Sequence, residues 1–520
     1  MPYSGPPLNA PVRLTEILAQ GLTERPDALA LVSAETRWTW RELEETGNRL
    51  AGNLLGLGLR PGDRVASLMP NRAALIIHYL ACMKAGLVAT PLNYRYMPPE
   101  IDHALGLSKA SLLFAHAERA ADIAASHEAA KLPFGLVSYG GDLDGSPRFE
   151  DLSVAPVSEA ALPASDPKAP AFIFFTSGST GKPKGVTHSL ETFGWLLASM
   201  IEGLELTGGD IVLPGSSISH IGSLSTTLAA LAAGARCDVA RTFDGHEILP
   251  LLRDTRPTVM VMLPAALIAL MHDHDAARED FSSLRLCLSG GDKVPSELEK
   301  AFTEMVGFPI DELYGMTEFG CSHANPPSGE NRLGSIGITL PGYQAAIRDD
   351  RGEELPSGAE GRLWVKGPAV TLGYWDNPQA TAETVQDGWL DTGDVMRTDT
   401  EGYFWFCGRK KQIIVHDGSN ICPQEVEEAV TGHPAIECAG VVGVHDAVHG
   451  ESVWAYVTLR DGAARPTAQE VIRFARERVG YKAPEAIMFL DDMPLNATGK
   501  VDRVTLKKMA ADRVAAHHLD

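Results

Sequence analysis

Between residues 64 and 91 the chain runs through an apolar segment, Arg64-Val-Ala-Ser-Leu68, a helical stretch at 73–85, and a second apolar segment at 87–91. This strand–helix–strand rhythm constrains the fold more than any other feature. Parallel strands need a crossover of a dozen residues or more, and a helix is the usual one. The rhythm recurs: residues 111–115, 136–139, 211–213, 236–240, 259–263 and 284–288 are further candidate strands, with helical segments between them. Upstream, residues 38–57 carry apolar side chains at helical spacing, with Thr39 as N-cap. An α/β protein with parallel sheets is predicted.

At 520 residues the chain exceeds the size one core can serve, so more than one domain is expected. The texture changes after about residue 330. Gly and Pro become frequent, and short alternating strands at 344–348, 361–366 and 402–407 predict a β-rich subdomain over about 330–410. From residue 411 the pattern returns to mixed α/β. A helix at 423–432 with an acidic first turn, strands at 439–444 and 453–459, a helix at 468–479 and a strand at 487–490 form a terminal unit. Residues 1–410 and 411–520 are thus predicted as a large and a small domain.

Lys and Arg total 45 against 67 Asp and Glu, a net charge of −22. That balance disfavours nonspecific binding to nucleic acid or anionic membranes. Seven cysteines without a Cys-x-x-Cys pair argue against a disulfide framework or structural zinc, and for reduced thiols in the cytoplasm. No signal-peptide pattern opens the sequence, and no apolar run is long enough to span a bilayer.

The chemistry concentrates first at Thr176-Ser-Gly-Ser-Thr-Gly-Lys-Pro-Lys-Gly185, directly after the apolar run Ala171-Phe-Ile-Phe-Phe175. Glycines let the backbone approach a ligand closely, and exposed N–H groups in such a turn form an anion-binding concavity. Hydroxyls add donors, and Lys182 and Lys184 add positive charge. Polyphosphate is the expected ligand. The P-loop of kinases and ATPases does not fit: Pro183 follows Gly181-Lys182, and no glycine stands five residues before Gly181.

Four more segments follow: Tyr314-Gly-Met-Thr-Glu318, Gly388-Trp-Leu-Asp-Thr-Gly-Asp394, Gly408-Arg-Lys-Lys411 and Pro494-Leu-Asn-Ala-Thr-Gly-Lys500. Together with the lysine loop, and in this order, they resemble the adenylate-forming superfamily, specifically its acyl-CoA synthetase branch. The resemblance covers nearly the whole chain. It implies doubly wound α/β subdomains plus the β-rich one in the N-terminal domain, and a mobile α+β C-terminal domain hinged near Lys411.

The resemblance also implies the reaction and the roles. A carboxylate attacks the α-phosphate of ATP, pyrophosphate leaves, and CoA then takes the acyl group from AMP. Two anions must meet, so catalysis should rest on positioning and charge neutralisation. Thr176, Ser177, Gly178, Ser179, Thr180, Gly181, Lys182 and Lys184 would cradle the β and γ phosphates. Gly290, Gly291, Asp292, Tyr314, Gly315 and Met316 would border the nucleotide, with Tyr314 against adenine. Asp394 would clamp the ribose hydroxyls, assisted by Arg409. Thr317 would bond a phosphate, and Glu318, with Thr176 nearby, would hold Mg²⁺ as a hard oxygen donor. Lys500 would bridge the acyl carboxylate and α-phosphate during adenylation. His220 would border the reacting carboxylate. The CoA tunnel would use Gly418 and Ser419, and the acyl pocket Ile221, Gly222, Ser225, Met262, Gly315 and Met316.

Departures from the family pattern occur at Ser289-Gly-Gly-Asp-Lys293 and at Glu485, where a basic residue is frequent. Residues 214–227 hold no Asp, which disfavours an α-amino acid substrate. A monocarboxylic aliphatic or aromatic acid is expected. Arg236 or Arg241 would serve a dicarboxylate. The alternatives are a catalytically silent homologue that binds nucleotide or acyl-CoA, and an adenylating enzyme with a non-CoA acceptor. A homodimer is compatible with the sequence.

Overall fold

A computed structural model describes residues 3–517 except 34, 144, 157–161, 177–182, 243, 275, 411, 417–418, 447–449 and 497–498. Its strands form four sheets. The seven-stranded sheet runs in the order Gly373–Tyr374, Gly185–Ser189, Pro170–Phe175, Val88–Pro91, Arg64–Leu68, Leu112–His116, Leu136–Tyr139. From Pro170–Phe175 to Leu136–Tyr139 its strands are parallel, whereas Gly185–Ser189 returns antiparallel to Pro170–Phe175. The lysine loop therefore joins a hairpin and does not lead into a helix as a P-loop would.

The nine-stranded sheet runs Ile338–Thr339, Gly320–Ala324, Asp311–Met316, Leu286–Gly290, Val259–Met262, Ile211–Gly215, Arg236–Val239, Leu29–Ser33, Arg37–Thr39. Its middle is parallel and its two ends are antiparallel. Helix Ala73–Ala85 is buried along all 13 residues, and one core joins side chains of both large sheets, among them Leu31, Val65, Phe172 and Val212. Helix Trp40–Gly56 starts at Thr39 with a capping box: Thr39 accepts from Glu42 N, and the Glu42 carboxylate accepts from Thr39 N.

The β-rich part is a six-stranded antiparallel sheet built on Gln344–Arg348, Gly361–Lys366, Trp389–Thr398 and Phe404–Arg409. Tyr3–Ser4 adds an edge strand from the far end of the chain. The last strand runs two residues later than the sequence predicts. Gly408, at φ +135°, continues it, and the register sets Arg409 opposite Asp394.

After residue 410 the strands form a separate five-stranded sheet of Ser419–Ile421, Ile414–His416, Gly450–Leu459, Ile436–Asp446 and Ala486–Phe489. Alternate residues face opposite sides, as the pleat requires. Val441, Val453, Ala455 and Val457 pack with Val426, Val430 and Val471 from helices Pro423–Thr431 and Ala468–Val479. Val442, Val444 and Tyr456 pack with Leu506 and Ala510 of helix Arg503–His517. Among the described residues no helix is long and apolar enough to cross a membrane.

Candidate active site

Three motifs distant in sequence meet around Asp394. Tyr314, on strand Asp311–Met316, donates its hydroxyl to Asp394 Oδ2 at 2.7 Å. Arg409 Nε lies 3.0 Å from Asp394 Oδ1, across the strand pair that the register aligns. The guanidinium neutralises the carboxylate, and among the described residues no aligned hydrogen bond reaches the buried Oδ1. Burial pushes the Asp394 carboxyl up, opposed by Arg409 and Tyr314. A buried acceptor beside a cation is suited to a pair of ligand hydroxyls. The Tyr314 ring is anchored by its hydroxyl to the same carboxylate.

A second cluster surrounds Glu318, which is 4% exposed. Tyr374 donates to its Oε1 at 2.8 Å, and Lys184 Nζ lies over the Tyr374 ring at 4.2 Å. Burial raises the Glu318 carboxyl, while Tyr374, Lys184 and Arg409 lower it. Lys184 N donates to Thr176 Oγ1 at 3.3 Å and Thr176 N to Lys184 O at 3.1 Å, which closes the base of the lysine loop. Ser177, Gly178, Ser179, Thr180, Gly181 and Lys182 lie outside the described residues. Buried His188 donates Nε2 to Thr317 O at 2.8 Å and fixes the backbone next to Glu318.

The third group involves the unit after residue 410. Lys500 follows Gly499, whose φ of +82° suits the turn closed by Gly499 N to Asn496 O at 2.9 Å. Lys500 Nζ donates to Gly291 O, at the end of strand Leu286–Gly290. Burial pushes its ammonium below the usual lysine range; Asp292 and Asp394 pull it up, and Arg409 pushes it down. Burial takes His220 down to about 4, and Lys500 adds to the shift. His220 is therefore neutral at physiological pH. Asn93 Nδ2 lies 3.4 Å from His220 Nε2. Asn71 pins the loop before His220, accepting from Ile218 N and donating to Ser216 O, both at 2.9 Å. Asn71, Asn93 and Tyr374 carry no local motif, so the sequence did not single them out.

Close backbone approach accounts for two glycines. A Cβ on Gly315 would lie 2.0 Å from Gly320 O, at the bulge after Tyr314, and one on Gly290 would lie 2.4 Å from Leu313 O. Met316 is half-buried against the main core. Gly222 is exposed, with no described residue within 4 Å of an added Cβ, so helix Ile221–Ala232 opens outward at this one position of its first turn. Ile221 and Ser225 are buried, Ser225 Oγ donating to Gly222 O at 3.0 Å. Met262 is 1% exposed within a second core, beside Leu213, Cys287 and Phe302. Lys411 and Gly418 lie outside the described residues, as does the Ser419 side chain. Arg236 pairs with Asp238 at 2.9 Å and Arg241 with Glu118, so both arginines are engaged. Glu485 accepts from Ser452 Oγ at 2.6 Å and lies 3.3 Å from His416 Nδ1.

The family profile of the AMP-binding enzymes matches residues 18–375, and that of the AMP-binding enzyme C-terminal domain matches residues 425–500. The chain belongs to the AMP-binding enzyme family. A feruloyl-CoA synthase of Amycolatopsis sp is 34% identical over 483 residues, covering 92% of this chain and 94% of the relative. A long-chain-fatty-acid–CoA ligase of Bacillus subtilis (strain 168) is 32% identical over 540 residues, covering 97% and 95%. Among solved structures, an anthranilate CoA ligase in complex with anthranoyl-AMP superimposes with a TM-score of 0.89 at 27% identity, covering 98% of this chain and 99% of that one. As an AMP-binding enzyme this chain has both expected parts, the large α/β part with its β-rich sheet and the small C-terminal one.

Proposed function

We propose that this AMP-binding enzyme is an acid–thiol ligase that activates a monocarboxylic acid through its acyl-adenylate and passes it to CoA. One observation carries the reading. Lys500, from the unit after residue 410, donates to Gly291 O and shares one electrostatic field with Asp394, Arg409 and His220. A cation from the small unit is thereby held beside a buried acceptor suited to ribose and a neutral histidine.

In the first step a carboxylate oxygen bonds to the α-phosphorus of ATP and the bond to pyrophosphate breaks. Lys500 neutralises both approaching anions as a compact point charge. His220, neutral, borders the carboxylate without competing for its charge, and Asn71 and Asn93 fix it there. Asp394 and Arg409 hold the ribose, and Tyr314 anchors the nucleotide side of the cleft. Thr176, Lys184 and the loop between them receive the β and γ phosphates. Glu318 fits a hard divalent cation: it is a buried carboxylate with one hydrogen bond to Oε1, near a lysine that faces the same phosphates. Mg²⁺ there would supply further neutralisation of phosphate charge. In the second step the CoA sulfur bonds to the acyl carbon and AMP leaves. The hinge role expected of Lys411 and the CoA-tunnel role expected of Gly418 and Ser419 would serve this step.

The acid is proposed to be an aliphatic or aromatic monocarboxylate, since Arg236 and Arg241 are both engaged by acidic partners. All seven cysteines are free, which supports a cytoplasmic, reducing setting. Acid-dependent ATP–pyrophosphate exchange across a panel of aliphatic, aryl and dicarboxylic acids tests the reading, with CoA products identified by mass. Exchange with monocarboxylates and a CoA thioester product are expected. A nucleotide-binding chain with no exchange for any acid would overturn it.

A further inference from the structure

Helix Ser296–Val306 starts without a cap of its own. Pro295 occupies its N-cap position, and no side chain caps the helix from there. An uncapped start leaves amide donors unsatisfied and a positive dipole end exposed. The missing acceptor comes from beyond residue 410. Glu428, on helix Pro423–Thr431, accepts through Oε1 from Ser296 N at 3.2 Å and from Ser296 Oγ at 2.9 Å. Its Oε2 accepts from Lys293 Nζ. Lys293 belongs to the Ser289–Lys293 segment in which the sequence departs from the family pattern. Two residues before it, Gly291 O receives Lys500.

One short segment thus takes two separate contacts from the small unit, one from the reacting lysine and one from Glu428. All three Glu428 bonds are charge-assisted, and the Lys293 and Glu428 side chains are about three-quarters shielded from solvent, with exposures of 26% and 21%. We propose that Lys293, Ser296 and Glu428 form a latch that holds the small unit where Lys500 reaches the cleft. Glu428 is then a positioning residue for adenylation. It touches no reacting atom, and its effect is to favour the arrangement in which Lys500 is seated. Passing to the CoA step requires the latch to open, so weakening it slows only the first step. The inference rests on the two-step reading above.

The test uses the whole chain with Glu428→Gln, Lys293→Met and the double variant. Acid-dependent ATP–pyrophosphate exchange is expected to fall about tenfold in each single variant, the effect of losing one charge-assisted contact. Thioester formation from supplied acyl-adenylate should stay within about twofold of the parent, and the double variant should lose no more than Glu428→Gln alone, because both changes break one contact. Unchanged exchange, equal loss in both half-reactions, or fully additive losses would each overturn the latch. If Glu428→Gln does not fold, Lys293→Met carries the same comparison. If the parent shows no exchange with any acid, the two-step reading fails separately. Spin labels on the two units then decide the latch: Glu428→Gln should broaden the distance distribution toward separation, and an unchanged distribution overturns it.

Discussion

Replacing Glu312 with Gln probes the strand that carries Tyr314. Glu312 is 3% exposed, and Val294 N donates to its Oε1 at 3.4 Å. Among the described residues, Glu312 Oε2 and Glu299 Oε1 are both buried without hydrogen-bond partners. Burial, together with repulsion from Glu299, pushes the Glu312 carboxyl up to about 8 from an ordinary 4.5. The folded form therefore keeps a proton that the unfolded chain releases. For a raised carboxyl the consequence is a loss of stability as pH climbs from 4.5 toward 8. At about 1.4 kcal/mol per pH unit, raising pH from 5 to 8 should cost the parent about 3 kcal/mol at this group. Gln keeps the shape and the carbonyl acceptor but has no proton to lose. The difference in Tm, variant minus parent, should be near zero at pH 5 and rise by roughly 6–12 °C at pH 8, taking about 2–4 °C per kcal/mol. Thermal melts at pH 5, 6, 7 and 8 for both proteins read it directly. A difference that is flat with pH would refute the reasoning and show Glu312 ionised throughout.

Three further outcomes follow from the site. Asp394→Asn removes the charge facing Arg409 and one of two ribose acceptors, so the KM for ATP in the exchange assay should rise about tenfold with folding intact; an unchanged KM excludes the ribose role. Asn71→Ala frees the loop before His220 and should raise the KM for the acid several-fold while sparing that for ATP; equal changes in both would contradict the positioning role. Gly418→Leu should leave exchange intact and abolish thioester formation, and normal CoA turnover would rule out the tunnel.

What could be read from the sequence was local. The strands and helices at 64–91 come from apolar patterning that a parallel sheet imposes, and each motif is a contiguous run whose residue types suit an anion. The contacts that assemble the site depend on register and long range. Asp394 meets Arg409 only because the strand pair shifts register between Val395 and Met396. Tyr374 reaches Glu318 across 56 residues, Asn93 reaches His220 across 127 and Asn71 reaches Ile218 across 147. Met262 shows the converse. A central parallel strand is covered on both faces, so its apolar run carries no alternation to say which residues face the pocket. Met262, expected in the acyl pocket, lies in a core. Glu428 sits in the second turn of its own helix, where no local pattern marks it, and the helix it caps is a different one.

The central claim is that Lys500 enters the cleft for adenylation alone. Measuring both half-reactions in Lys500→Ala tests it most directly. Pyrophosphate release from acid and ATP should be lost, while thioester formation from supplied acyl-adenylate and CoA is largely kept. Equal loss of the two, or adenylation at the parent rate, would contradict the account.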